Sequence, residues 1–308
     1  MTHTTPSRRG FLTRVIPAAG LLALGAGAAS AQLQFLGLTL PLTPTPQGGS
    51  FVAIVQGADI TDLQVTFAGR TAQGVADGGG WLAFVGVGQR VGRTAQQEPG
   101  VYPVQARVTL AGGGERTLGG EVTVAATRFP VEEIVLGPSE SALLDPSLTQ
   151  RELAILTPIY DGFTPQRLWD GFFQRPAEGA ITDVFGSRRS YNGGPATGSH
   201  SGVDFGAGAG APVVAAAAGR VALAQALPVR GNGVVVDHGA GVFTGYFHLS
   251  AIGVEVGQAV RAGERLGRVG ATGLVTGPHL HWEVAVGGFQ VDGLGWLPEA
   301  FARAPLTG

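Results

Sequence analysis

The sequence predicts a mainly β protein, with two β-rich units joined by a short helical stretch. Three observations carry that expectation. Apolar and polar residues alternate with period two over long stretches in both halves of the chain, the repeat of half-buried strands. Glycine supplies 52 of the 308 residues and proline 19, while charged residues make up only 14%, a balance that suits tight turns better than long surface helices. Between about residues 130 and 175 the alternation gives way to helix-start signals.

The first unit in chain order, residues 1–31, reads as an export signal. Arg8 and Arg9 stand as a pair, followed by Phe11 and Leu12. An apolar run rich in Gly and Ala covers residues 15–29, and Ala29-Ser30-Ala31 fits a small-residue cleavage site. The paired arginines point to the twin-arginine route, which exports folded proteins to the periplasm, the cell envelope or beyond. The run is too short and too glycine-rich for a stable membrane span, so none is expected after the signal is removed. Removal takes away three arginines and no acid, leaving a charge of about −5. All 20 basic residues are arginine, and no basic patch or tail suggests a nucleic-acid partner. Cysteine is absent, which excludes disulfides and a lipid anchor on an N-terminal cysteine. A metal site would therefore have to use His, Asp or Glu.

Residues 32–129 alternate in short segments: FVAIVQG (51–57), LQVTFAG (63–69), WLAFVGVG (81–88), VYPVQARVTL (101–110) and EVTVAATRF (121–129). Turn clusters such as ADGGG (76–80) and AGGGER (111–116) separate them, which predicts a β-sandwich. The stretch EPGVYPVQARVTLAGGGERTLGGEVTV resembles the last hairpin of an immunoglobulin-like domain. This unit holds no histidine and no polar constellation, and reads as a binding, shielding or spacing module.

Residues 130–175 read as a helical linker. Thr149 and Glu152 have capping-box spacing, and Thr164 with Pro165 offers a second N-cap followed by proline at the first helical position.

From residue 176 to 302 the chain is β-rich again, with APVVAAAAGRVALA (211–224), NGVVVDHG (232–239), GVFTGYFHLS (241–250) and VEVGQAVRAGERLGRVG (254–270). The segment TGPHLHWEV (276–284) reads as a strand. Residues i and i+2 of a strand share a face, so His279, His281 and Glu283 would point the same way. Two imidazoles so placed can bind one metal ion, or bind it and serve as base. His3 lies in the signal, and the other five histidines, His200, His238, His248, His279 and His281, all fall within 82 residues. Asp204 follows His200 by four. A histidine, a carboxylate four residues on and a distant histidine supply three N/O ligands, the usual protein share of a catalytic zinc site.

With these motifs the C-terminal unit resembles the lysostaphin-type (LytM-like) zinc peptidases that cut peptidoglycan peptides. The paired signatures of that family, H-x-x-x-D and H-x-H, stand here as His200-Ser-Gly-Val-Asp204 and His279-Leu-His281. The flanking segments VFGSRRSYNGG, GAPVVAAAAGRV, GNGVVVDHG, YFHLS, VGQAVRAGERLG and GATGLVTGPHLHWEV agree in order, over about residues 176–297. The resemblance implies a small antiparallel β peptidase domain with its site in a groove, a zinc ion on His200, Asp204 and His281, and peptidoglycan peptides as substrate. It implies that His248 and His279 flank the scissile carbonyl. One would be general base and the other would help stabilise the oxyanion, with the two roles unassigned between them. His238 is read as a structural histidine at a strand end. Glu283 is a candidate for a contact behind His281, and Arg188 and Asn192 for the groove wall.

Two other functions compete with a zinc endopeptidase. A non-catalytic LytM-like module, binding wall or activating another hydrolase, would usually lack ligands, and this chain keeps all of them. A sugar-cutting wall hydrolase needs two carboxylates across a cleft and leaves the histidine cluster unexplained.

Overall fold

The computed structural model describes residues 13–17, as backbone only, and 36–298. The stretch read as an export signal falls outside these residues, apart from Thr13–Pro17, which forms an edge strand antiparallel to Gly37–Pro41. The chain is mainly β. Among the described residues, no helix is long and apolar enough to cross a membrane.

The first β unit is built from two five-stranded sheets. One runs in the order Thr13–Pro17, Gly37–Pro41, Ser50–Gln56, Gly80–Gly86, Val75–Asp77. The other runs Thr45–Pro46, Glu115–Ala125, Gly100–Leu110, Ile60–Phe67, Arg70–Gln73. The alternation seen in the sequence sorts one set of side chains into the core. Phe51, Ala53 and Val55 from the first sheet meet Leu63, Val65 and Phe67, and Val104, Ala106 and Val108, from the second. The five segments expected as strands are all strands, with ends moved by a few residues.

The stretch after it is only partly helical. A strand, Val131–Ile134, pairs in parallel with Arg188–Tyr191. The main helix spans Pro146–Tyr160 and starts earlier than the capping box suggested. Asp145 is the N-cap, accepting from the Ser147 amide at 2.8 Å, and Pro146 takes the first turn. An aspartate cap followed by proline outcompetes the Thr149 signal, because it satisfies an orphan amide and presets φ. The second expected helix, at Thr164-Pro165, does not form. Thr164 Oγ1 donates instead to Asp237 Oδ2 at 2.6 Å, Arg167 bridges to Gly239, and Trp169 and Phe173 sink into the C-terminal core. Tertiary burial of those two aromatics overrides the local helix signal.

The C-terminal unit is dominated by one large antiparallel sheet. Its central path runs Ala180–Asp183, Val203–Gly206, Leu280–Val286, Val242–Ile252, Gly231–Gly239, Gly219–Leu227 and Ala259–Val260. The two β units are continuous at one seam. Gln89–Arg90 pairs with Phe289–Val291, and Phe84 stacks near Trp169 and Trp296. Gly88 makes this possible, since a Cβ there would lie 1.8 Å from the Gln290 carbonyl oxygen.

Candidate metal centre

Three neighbouring strands bring the site together. Asp204 on Val203–Gly206 is the register partner of His281 on Leu280–Val286, and His281 is in turn the partner of Phe247 on Val242–Ile252. His200 lies just before the first of these strands. Its backbone is pinned on both sides, with its amide donating to Ser187 O and its carbonyl accepting from Gly186 N. Gly202, inside the H-x-x-x-D motif, is required by packing. A Cβ there would stand 2.3 Å from the Trp282 carbonyl oxygen and 3.0 Å from the His281 ring.

Three donor atoms converge. His200 Nε2 lies 3.0 Å from Asp204 Oδ1 and 2.9 Å from His281 Nδ1, and Asp204 Oδ1 lies 2.8 Å from His281 Nδ1. All three residues are buried. Hydrogen bonds on the far side of each ring fix what these atoms offer. His200 Nδ1 is 2.9 Å from both the Val184 carbonyl and Asp183 Oδ2, so it carries the proton. His281 Nε2 is 3.1 Å from Glu283 Oε1, so the proton sits there and Nδ1 is left bare. In the neutral rings two nitrogen lone pairs and a carboxylate oxygen therefore face one another across 3 Å or less. That arrangement is repulsive unless a cation lies among them. The donor set, two imidazoles and one carboxylate without thiolate, suits a divalent ion such as zinc and leaves a coordination position open.

The electrostatics agree. Burial works against a charge on Asp204, but the neighbouring His200 and His281 rings hold its carboxyl well below the usual carboxylate range. Burial also disfavours protonated His200, yet Asp204 and the hydrogen bonds to Asp183 and Asp204 raise its pKa. In the metal-free chain a proton is drawn into the place a metal would take.

His248 and His279 sit beside this triangle with ring centroids 4.9 Å apart. His248 occupies an irregularity where Phe247 and His248 stand opposite Gly233 alone on the neighbouring strand, and its φ is +63°. Such a left-handed histidine in a bulge re-aims a side chain at some backbone cost. Its Nδ1 donates to Thr272 O at 2.8 Å, and His279 Nδ1 donates to Gly277 O at 2.9 Å. Each ring thus keeps Nε2 free for chemistry, and His279 Nε2 lies 3.7 Å from Asp204 Oδ2. Burial, first of all, pushes both pKa values down, His248 well below the ordinary value. Both rings are neutral near pH 7.

The site opens into a groove of about 510 Å³, whose walls include Glu133, Arg189, Tyr191, Arg230 and Leu274. Asp204, His248, His279 and His281 line this groove, and His200 lies buried against Asp204 and His281. His238 is not among them; it is fully buried elsewhere, between Ala218 O and Thr244 Oγ1. Arg188 and Asn192 also miss the groove. Arg188 donates to Ala196 O, and Asn192 Oδ1 accepts from Leu136 N. The neighbouring Arg189 is the one that turns inward, to Asp183 at 2.9 Å and Asp204 at 3.4 Å. Sequence reasoning missed Arg230 because its partners Glu152 and Glu283 are far along the chain, and Asp183 and Arg189 because their pairing depends on how the loops around His200 fold. The strict alternation of Arg188–Tyr191 at least allowed one of the two arginines to face in.

Comparison with known proteins agrees with this geometry. The sequence pattern of peptidase family M23 matches residues 198–293. A crystal structure described as a peptidase M23 from Pseudomonas aeruginosa is 30% identical, covers 83% of this chain and 95% of that one, and superposes with a TM-score of 0.60. The peptidoglycan DD-endopeptidases ShyB and ShyA of Vibrio cholerae are 40% identical over 117 residues and 45% over 95. Those matches take in 37% and 31% of this chain but only 27% and 22% of the relatives, so the chain spans about a quarter of their length. A likeness to a family structure over nearly its whole length, with the metal-type triangle intact, leads to one conclusion: the chain belongs to peptidase family M23.

Proposed function

We propose that this protein is an exported zinc-dependent endopeptidase that hydrolyses peptide cross-links or stems of peptidoglycan. The observation that carries the reading is the set of three converging lone pairs beside two neutral histidines in an open groove. The names of the curated relatives support the substrate class. His200, Asp204 and His281 would hold the ion. When bound there, zinc supplies a Lewis acid that polarises the scissile carbonyl and acidifies water.

The chain's own groups do the rest. Asp183 and Glu283 hold the far-side protons of His200 and His281, keeping Nε2 and Nδ1 as ligands. His248 and His279 face the groove through Nε2, with Nδ1 fixed on a carbonyl. A neutral ring so held can take a proton from the attacking water at Nε2 and, once protonated, can donate from the same atom to the oxyanion or the leaving amine. The Asp204 carboxylate near His279 favours a proton on that ring. The burial of His200, Asp204 and His281 would keep bulk water from the atoms that hold the ion.

The unit over residues 32–129 is proposed as an immunoglobulin-like module, residues 130–175 as a linker, and 176–302 as the peptidase domain. The deciding experiment is release of peptides from purified sacculi, with and without chelator and with zinc restored. Undiminished cleavage by the metal-free protein would end this reading.

A further inference from the structure

The helix Pro146–Tyr160 lies outside the stretch matched by the family pattern, yet it reaches the metal centre. Its buried residues are Glu152, Leu156 and Tyr160, at i, i+4 and i+8, which is one stripe of a helix. Leu156 joins an apolar cluster with Val235 and Phe247. The two polar members of the stripe do something else. Glu152, 1% exposed, accepts from the amides of Val229 and Arg230 at 2.8 and 2.9 Å through Oε2, and from Arg230 Nη1 through Oε1. The other edge of Arg230 donates to Glu283 Oε1, from Nε at 2.8 Å and Nη2 at 2.6 Å. Tyr160 OH donates to Glu283 Oε2 at 2.9 Å, as does Gln290 Nε2. Glu283 Oε1 is the atom that faces His281 Nε2.

We infer that this helix is part of the metal centre, with Glu152 and Tyr160 as positioning residues that clamp Arg230 and Glu283 and thereby hold His281 with Nδ1 free to bind metal. The inference rests on the zinc reading above. A helix packed only for stability would carry apolar residues along the whole stripe, since buried ion pairs rarely add net stability over apolar packing. Here two of three positions are polar: Tyr160 bonds Glu283 directly, and Glu152 bonds the Arg230 that pairs with it. Tyr160 ties down Oε2, which fixes the carboxylate plane so that Oε1 meets His281. Glu152 shares the charge of Arg230. Without it, Arg230 would be left to neutralise Glu283 alone, weakening the pull of Glu283 on the His281 N–H. Groups behind a metal-binding histidine commonly set metal affinity by 10–100-fold.

The test uses the full chain carrying Tyr160→Phe, Glu152→Gln or Leu156→Ala. Zinc affinity is measured by competition with a chromogenic chelator, and the thermal midpoint is measured on each metal-free protein. The two polar variants should bind zinc about 10–100-fold more weakly. Leu156→Ala, which opens a cavity on the same stripe, should lower the midpoint and leave the affinity unchanged. Wild-type affinity in both polar variants would overturn the inference. So would an equal affinity loss in Leu156→Ala, because it would mean that the metal senses helix stability alone. A wild type that binds no zinc would remove the metal reading and the inference with it. A zinc-loaded wild type with unaffected variants would remove the inference only.

Discussion

Asp204 and His281 are direct partners across two adjacent antiparallel strands, and Asp204 Oδ1 stands 2.8 Å from His281 Nδ1 although 77 residues separate them in the chain. The sheet register itself therefore sets two of the three proposed ligand positions. A triangle built on a register would be ordered before an ion arrives, which would lower the ordering cost of binding.

The protein is expected to bind about one zinc per chain, and His281→Ala is expected to lose both metal and cleavage, because two donors hold zinc poorly. The β fold should survive, since Val203, Phe205, Leu280 and Trp282 around the site are fully buried apolar residues that need no ion. Metal analysis and circular dichroism on the same samples check this. Acid should also displace the metal. His200 in the metal-free chain holds its proton more tightly than an ordinary histidine, so protons compete with zinc increasingly as pH falls. Full zinc occupancy in the active His281→Ala variant would remove it from the ligand set.

His248→Ala should behave differently. The ring is not among the three converging donors, and its Nδ1 is committed to Thr272 O. Zinc should stay bound while the rate falls by about two to four orders of magnitude, as expected for a positioned acid–base group. A parallel loss of zinc, read by metal analysis, would place His248 among the ligands instead.

Asp183→Asn should weaken zinc binding by about tenfold, the low end of the range for a group behind a ligand. The carboxylate lies 2.9 Å from His200 Nδ1, but the Val184 carbonyl stands at the same distance and can keep the tautomer alone. Chelator competition would show the change. A loss as large as that of a direct ligand would mean that Val184 does not hold the ring.

That His200, Asp204 and His281 would come together was legible in the sequence because their chemistry is concentrated in two short motifs, and strand alternation put His281 and Glu283 on one face. The strands of both β units were legible for the same reason. What the sequence could not show is long-range. Glu152 carried a capping-box signal, but it is buried against Arg230, and Asp145 caps the helix instead. Thr164 carried an N-cap signal, but it serves Asp237 on a strand over seventy residues later. A local signal names what a side chain can bond to nearby; only the packed sheet decides whether a distant partner takes it. Asp183 and Arg189 carried no local signal at all, since their roles exist only once the loops before and after them fold onto His200 and Asp204.

His238 gives the clearest pH prediction. It is fully buried, with Nδ1 2.8 Å from Ala218 O and Nε2 2.7 Å from Thr244 Oγ1, and aromatic rings of Trp169 and Phe173 pack nearby. Burial lowers its pKa to about 4, against the usual 6.5. Above pH 6.5 the ring is neutral both folded and unfolded, and the full stability is present. As pH falls below 6.5 the unfolded chain takes up a proton that the folded chain refuses, so stability declines until about pH 4, where both states are protonated. The gap of roughly 2.5 pKa units corresponds to about 3 kcal/mol lost across that window. His238→Gln keeps a side chain able to donate and accept but removes the titration. Urea unfolding of both proteins, metal-free so that the ligand site is the same in each, should show the wild type ahead near pH 7 and losing that lead as pH approaches 4. Parallel stability curves for the two proteins over pH 4 to 7 would show that His238 does not titrate against folding.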